Sequence, residues 1–198
     1  KNLKKYFDVP GGVLRALDGV SFKVEQGTTI GIVGESGCGK STLGRTIIHL
    51  EESTDGRMFF HGKDVTRLKR RELKKFREKV QIIFQDPYAS LNPRMTIEET
   101  IQEPLHLSGR YSKTQLEDAV AKIMERTGIE ERLQRSYPHE LDGGRRQRVG
   151  IARALALDPD FIVCDEPVSA LDVSIQAQIL NLLMDIQEDS KLTIMFVT

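Results

Sequence analysis

Eight consecutive residues, Gly34-Glu35-Ser36-Gly37-Cys38-Gly39-Lys40-Ser41, have the types and spacing to hold the phosphates of a nucleotide. They fit the pattern G-x-x-x-x-G-K-[ST]. Glycines let the backbone curl so that successive N–H groups point inward at phosphate oxygens. A helix that begins at the end of such a loop aims its positive dipole end at the same place. Lys40 adds a mobile point charge for the β and γ phosphates. Ser41 offers a hydroxyl to Mg²⁺, and Thr42 places a second hydroxyl nearby.

A second group of chemically apt residues lies far along the chain. Phe161-Ile162-Val163-Cys164-Asp165-Glu166 is an apolar run closing on two acids. Acids at the carboxyl end of a parallel strand sit where α/β folds bind ligands. Asp165 is the candidate Mg²⁺ residue, directly or through an intermediary. Glu166, one residue further, is the candidate general base for an attacking water. Acids commonly end strands, so this pattern acquires weight from the phosphate loop beside it.

These groups require an α/β scaffold. Short apolar runs alternate with helical patterns. Thr28 to Val33, Val80 to Phe84, Phe161 to Cys164 and Thr193 to Val197 read as buried strands of a parallel sheet. Lys40 to Leu50 reads as a helix. Leu14 to Glu25 and Arg57 to His61 read as antiparallel additions, with turns expected at Asp18-Gly19 and Asp55-Gly56. Thr96 to Leu157 is mostly helical, with breaks expected at Pro104, Gly109, Gly128 and Pro138. Within it Ser112 to Thr127 carries an apolar stripe of Leu116, Val120, Ile123 and Met124. The expected organisation is a nucleotide-binding core, 1–84 plus 157–198, with a helical subdomain, 85–156, inserted between its strands.

Composition narrows the setting. The 198 residues suit one domain, and Lys plus Arg equals Asp plus Glu at 29 each. A globally basic surface for nucleic acid is therefore absent, and no nucleic-acid partner is expected. The basic stretch Arg67 to Lys79 could be a nucleic-acid patch, but it reads better as an amphipathic helix with a solvated basic face, since Leu68, Leu73, Phe76 and Val80 recur near a helical period. No apolar run approaches the ~18 residues of a membrane span, and Lys1 to Asp8 lacks a signal-peptide core. The two cysteines, Cys38 and Cys164, each lie inside a motif and read as reduced thiols.

Leu141-Asp142-Gly143-Gly144-Arg145-Arg146-Gln147-Arg148 precedes the acidic strand by a short helix. With this segment in place the chain resembles the ATP-binding-cassette (ABC) ATPases, whose signature commonly reads LSGGQ. Gln85 matches that family's Q-loop glutamine, and Ser169-Ala170-Leu171-Asp172 its D-loop. Tyr6, with Phe7 as second choice, matches the aromatic residue that stacks on adenine. The stretch Phe84 to Met95 is similar to the ATPase subunits of oligopeptide, dipeptide and nickel importers.

The resemblance implies an α/β core with a mostly parallel sheet, an antiparallel β subdomain and an inserted helical subdomain. It also implies ATP hydrolysis with Mg²⁺ held by Ser41, Asp165 and Gln85. Further implications are a second ATPase subunit (a heterodimer) and transmembrane permease subunits docked on the helical part. An extracytoplasmic solute-binding protein would act indirectly, and the location would be peripheral, on the cytoplasmic face of the membrane. ATP would lie between the phosphate loop of one subunit and the signature of the other. A soluble ABC ATPase acting on nucleic acid or the ribosome, or a regulatory nucleotide-binding module, is the alternative.

Two departures stand out. The signature serine is Asp142 and its glutamine is Arg145. Asp caps a helix as well as Ser does, but a carboxylate facing a γ-phosphate is unfavourable. Either Arg145 makes the working contact, or the signature is a degenerate half of an asymmetric dimer. The family also places a histidine just after the last strand, and none of His49, His61, His106 and His139 fits that slot. The expectation is a chain truncated before that histidine, weak or inactive alone, that binds ATP better than it hydrolyses it.

Overall fold

Strand formation at Val80, Phe161 and Thr193 decides the architecture, because these apolar runs can be buried only between two layers. In the computed structural model, which describes residues 1–198, β1 (Leu3–Val9) and β2 (Gly12–Val20) form an antiparallel hairpin. Then come β3 (Thr29–Ile32), α1 (Lys40–Ile47), β4 (Phe59–Phe60), β5 (Lys63–Asp64), α2 (Arg70–Lys79) and β6 (Val80–Ile83). Four helices follow: α3 (Pro87–Ser90), α4 (Ile97–Ser108), α5 (Lys113–Arg126) and α6 (Gly143–Leu155). The chain closes with β7 (Phe161–Asp165), α7 (Val173–Ser190) and β8 (Thr193–Val197). The main sheet is parallel, in the order β3-β8-β7-β6.

Alternation along the central strands sends side chains to two cores. Ile162, Cys164 and Ile194 pack on one side with Ile151, Leu155, Ile179 and Leu183 of α6 and α7. Val163, Met195 and Val197 pack on the other with Ile48, Val65 and Phe76. A third core is built mainly from helices and includes Ile97, Ile101, Leu105, Val120, Met124 and Val149. Helix α6 feeds both kinds, giving Val149 and Ala152 to the helical core and Ile151 and Ala154 to the sheet. The C-terminal half of α6 is therefore held from two directions.

Several expectations change in the structure. Asp18-Gly19 is no turn: both residues lie inside β2. Register slips there, with Leu3 opposite Val20 but Lys4 opposite Asp18, so Gly19 at φ 83 is the extra residue of a β-bulge. The hairpin turn is made instead at Pro10 and Gly11, between β1 and β2. Pro104 does not break the helix but lies inside α4. Ile97, Ile101 and Leu105 of that helix are all 0% exposed, and their burial outweighs the ~3 kcal/mol cost of an interior proline. The helix expected to reach Leu50 ends at Ile47. Arg57 to His61 contributes only the two residues of β4, paired with β5.

Candidate nucleotide site

Parallel pairing brings the functional segments to one edge of the sheet. Ile32 pairs with Val197 and Asp165 pairs with the same residue, so β3, β8 and β7 end level. The glycine loop and Gln85 follow within two residues of strand C-termini and Asp165 ends β7 with Glu166 next to it, the edge where such sheets bind ligands.

The loop wraps around the Lys40 side chain. Nζ of Lys40 donates to the Gly34 carbonyl at 2.7 Å and the Glu35 carbonyl at 3.0 Å. Gly39 takes a left-handed conformation, φ 97, as the cap of α1. Amide groups of Gly37, Gly39, Lys40, Ser41 and Thr42 donate to no acceptor within the chain, so a row of donors is available at a helix N-terminus. Glu35, Ser36 and Cys38 are exposed along the loop. Behind it, α1 sits close on β7: a Cβ on Gly44 would lie 2.9 Å from Val163 Cγ1.

Asp165 is 2% exposed, and its Oδ1 accepts from Ser41 Oγ at 2.7 Å. This bond spans 124 residues of sequence and joins the loop to the acidic strand. A buried carboxylate beside a hydroxyl is an all-oxygen donor set, which fits Mg²⁺ sharing phosphate oxygens better than a softer metal.

Glu166 has φ 46, a strained value for a residue with a side chain. Its amide donates to the Val197 carbonyl at 2.9 Å, holding that conformation. Its Oε2 accepts from Gln85 Nε2 at 2.7 Å. Ser169 completes the group, with its Oγ 3.4 Å from Gln85 Nε2 and donating to the Glu166 carbonyl at 3.1 Å. Gln85 and Glu166, 81 residues apart, thus form one unit.

The signature residues form a separate group with no hydrogen bond to the loop of the same chain. Asp142 caps α6, its Oδ1 accepting from the Arg145 amide at 2.8 Å. Arg145 donates from one terminal nitrogen to Asp142 Oδ2 at 3.1 Å and from the other to Glu130 Oε1 at 2.9 Å. Gly143 and Gly144 lie against Leu171 and Ile175: added Cβ atoms would meet those side chains at 3.1 and 2.7 Å.

Tyr6 lies on β1 opposite Arg15. Its hydroxyl donates to Asp18 at 2.5 Å, which raises its pKa, and the Arg15 guanidinium lies 5.7 Å from its ring centre. Phe7 is covered instead by Lys5, 4.5 Å away. Strand β2 links Tyr6 to the loop, because the Ala16 carbonyl faces Gly39.

The order of loop, glutamine, capped double glycine and acidic strand, set on this sheet, decides the lineage. A family model described as ABC transporter matches residues 17–169. The chain belongs to the ABC transporter family.

Among relatives, the oligopeptide transport ATP-binding protein OppF of Bacillus subtilis is 52% identical over all of this chain and 65% of its own length. AppF, an oligopeptide transport ATP-binding protein of the same organism, is 47% identical, with 63% of its length covered. The chain therefore spans under two thirds of these curated relatives. Solved structures agree on the fold. The ATP-binding cassette MJ0796, in a dimeric post-hydrolysis state bound to ADP and Pi, superposes with TM-score 0.91 at 32% identity. That match covers 100% of this chain and 86% of the other. CbiO1 of Clostridium perfringens, part of an ABC transporter complex, gives TM-score 0.85 at 28% identity, with 100% and 78% covered.

Two partners of the site residues are not evident from the sequence. Ser169 is visible only as part of a D-loop, not as a partner of Gln85 and Glu166. Glu130 carries no sequence signal, since nothing in a lone acid 15 residues ahead of Arg145 marks the pair.

Proposed function

We propose that this chain is the ATP-binding and ATP-hydrolysing part of a subunit that drives peptide import through a membrane ABC transporter. The observation that carries the reading is the convergence of Lys40, the Ser41–Asp165 pair and the Gln85–Glu166 pair on one sheet edge. The peptide assignment is supported by the relatives named above, which are oligopeptide transport proteins.

In this reading the free loop amides and Lys40 hold the β and γ phosphates, and Lys40 leaves its carbonyl partners to do so. Ser41, Asp165 and Gln85 would hold Mg²⁺, which when bound would supply charge neutralisation on the phosphate oxygens. Glu166 accepts a proton from the water whose oxygen bonds to the γ-phosphorus, as the bond from that phosphorus to the ADP oxygen breaks. Gln85 and the strained Glu166 backbone fix the carboxylate for that transfer. Tyr6 stacks on adenine, and Asp142, Gly143, Gly144 and Arg145 serve the nucleotide of a second ATPase subunit.

Residues 85–156, with a core of their own, form the helical unit on which permease subunits dock, while 1–84 and 157–198 form the nucleotide-binding unit. The subunit works peripherally at the cytoplasmic face of the membrane. No helix of the chain is long and apolar enough to cross a membrane.

The test is Glu166→Gln in the assembled transporter. ATP turnover falls by about 10²-fold or more, while ATP affinity stays within about threefold. Turnover within threefold of the parent overturns the role of Glu166. Peptide uptake into vesicles that does not depend on ATP overturns the transport reading.

A further inference from the structure

Charges alternate along a chain of side chains at the start of α6. Asp142 caps the helix and holds one terminal nitrogen of Arg145. Glu130, from the segment after α5, holds the other. Glu130 in turn accepts from Arg132 Nε at 2.6 Å. The fork of Arg145 is therefore gripped at both tips by carboxylates from two segments, and the four charges sum to zero. The base of Arg145 is equally fixed, because Gly143 and Gly144 allow Leu171 and Ile175 to close on the first turn of α6.

A guanidinium has five N–H donors. The two carboxylates take one from each terminal nitrogen, which leaves three for a further anion. Asp142 alone would present a negative charge to an approaching triphosphate. With Arg145 held across it, that negative charge is neutralised and the guanidinium's remaining N–H donors lie beside the amides of the helix N-terminus. Without a second anchor, Arg145 is a long side chain with large rotamer freedom. The fork geometry matters because Arg meets phosphate best with two parallel bonds.

We infer that Glu130 is a positioning residue, fixing the Arg145 guanidinium so that Arg145 makes the contact to the terminal phosphate of ATP held by the second subunit. This inference rests on the proposed reading of an ATP sandwiched between two subunits. It differs from a stabilising ion pair in a measurable way. The side chains of Glu130, Arg145 and Asp142 are 45%, 44% and 59% exposed, and pairs so exposed add little to fold stability. Loss of Glu130 acts on nucleotide engagement and leaves the fold alone.

The experiment measures ATP turnover against ATP concentration in the assembled transporter, with thermal unfolding alongside. Glu130→Ala raises KM for ATP about fivefold, with kcat within about twofold and Tm within about 1 °C. Glu130→Gln, which keeps an oxygen for Arg145, holds KM within about threefold. In an Asp142→Ser, Arg145→Gln background there is no guanidinium to position, so adding Glu130→Ala changes KM by less than about twofold. An unchanged KM in Glu130→Ala overturns the inference, as does an equal rise in the Ser/Gln background. A parent complex with no saturable ATP turnover overturns the proposed function and this inference together.

Discussion

Gly39 faces the Ala16 carbonyl so closely that a methyl group on its Cα would lie 2.3 Å from that oxygen. Cβ atoms essentially never approach closer than 3.0 Å, so Gly39→Ala forces a shift of at least 0.7 Å, the difference of the two. The methyl is fixed to the loop backbone and the oxygen it meets is backbone of β2, so either β2 or the loop must move. The left-handed φ of 97 adds about 1–2 kcal/mol for alanine, and overpacking adds about 1–3 kcal/mol. The sum, roughly 2–5 kcal/mol, lowers Tm by about 5–15 °C in a chain of this size. Gly37 is the internal control. It has φ 80 but nothing within 4 Å of an added Cβ, so Gly37→Ala carries only the conformational cost, about 2–6 °C. Nucleotide titration gives the second readout. A loop displaced by this amount no longer aims its amides together, so affinity for ATP falls about tenfold or more in Gly39→Ala and by less in Gly37→Ala. Circular dichroism melts and a fluorescent ATP analogue suffice for the assay. Equal Tm and equal affinity in the two variants would refute the reasoning, because the close approach to β2 is present at Gly39 and missing at Gly37.

Two further outcomes follow from buried and exposed groups. Cys38 is exposed, whereas Cys164 is buried and its burial pushes the thiol pKa far up. Iodoacetamide therefore labels one thiol per folded chain and two per denatured chain, and ATP slows the labelling of Cys38 at least about fivefold; rapid native labelling of Cys164 or no protection by ATP contradicts this. Burial lowers the pKa of His49, whose Nε2 is enclosed with no hydrogen-bond partner. Below its ordinary pKa of about 6.5 the unfolded chain takes a proton that the folded chain excludes, so this contribution is lost as pH falls. Between pH 7 and 5.5 the parent loses more stability in urea melts than His49→Asn does, a residue that tolerates the φ of 57 at this position; equal losses would remove His49 as the cause.

The chemistry was legible wherever it was written in consecutive residues. The loop Gly34 to Ser41 and the run Phe161 to Glu166 name their own structure, since apolar strands, glycines and acids impose it locally. Pairing across the chain was not legible. Strand β1, Leu3–Val9, holds Lys4, Lys5 and Asp8 and has no alternation to announce it; it exists because β2 turns back on it. Gly19 reads as a turn and is a bulge, for the same left-handed freedom serves both. Pro104 reads as a break and is absorbed by a helix whose buried face holds it in place. The bonds Ser41–Asp165, Gln85–Glu166 and Arg145–Glu130 span 124, 81 and 15 residues. Such contacts depend on sheet order and helix packing, which no local pattern encodes.

Those bonds also bear on how a nucleotide would do work. Lys40 is held by two carbonyls, Ser41 by Asp165, and Gln85 by Glu166. A triphosphate that engages these side chains exchanges partners for them, so the net gain per hydrogen bond is modest. The exchange is not local in its effect. Releasing Gln85 from Glu166 also loosens Ser169, which bonds both. Two residues on, Leu171 rests on Gly143, the first residue of α6. A change at the chain's own acidic strand thus reaches, within one short segment, the helix end proposed to face the partner's nucleotide. Because α6 is packed into both the sheet core and the helical core, a displacement of its first turn bears on both. In the proposed reading, binding free energy goes largely into repositioning that helix against the sheet, the form in which it can reach a docked permease.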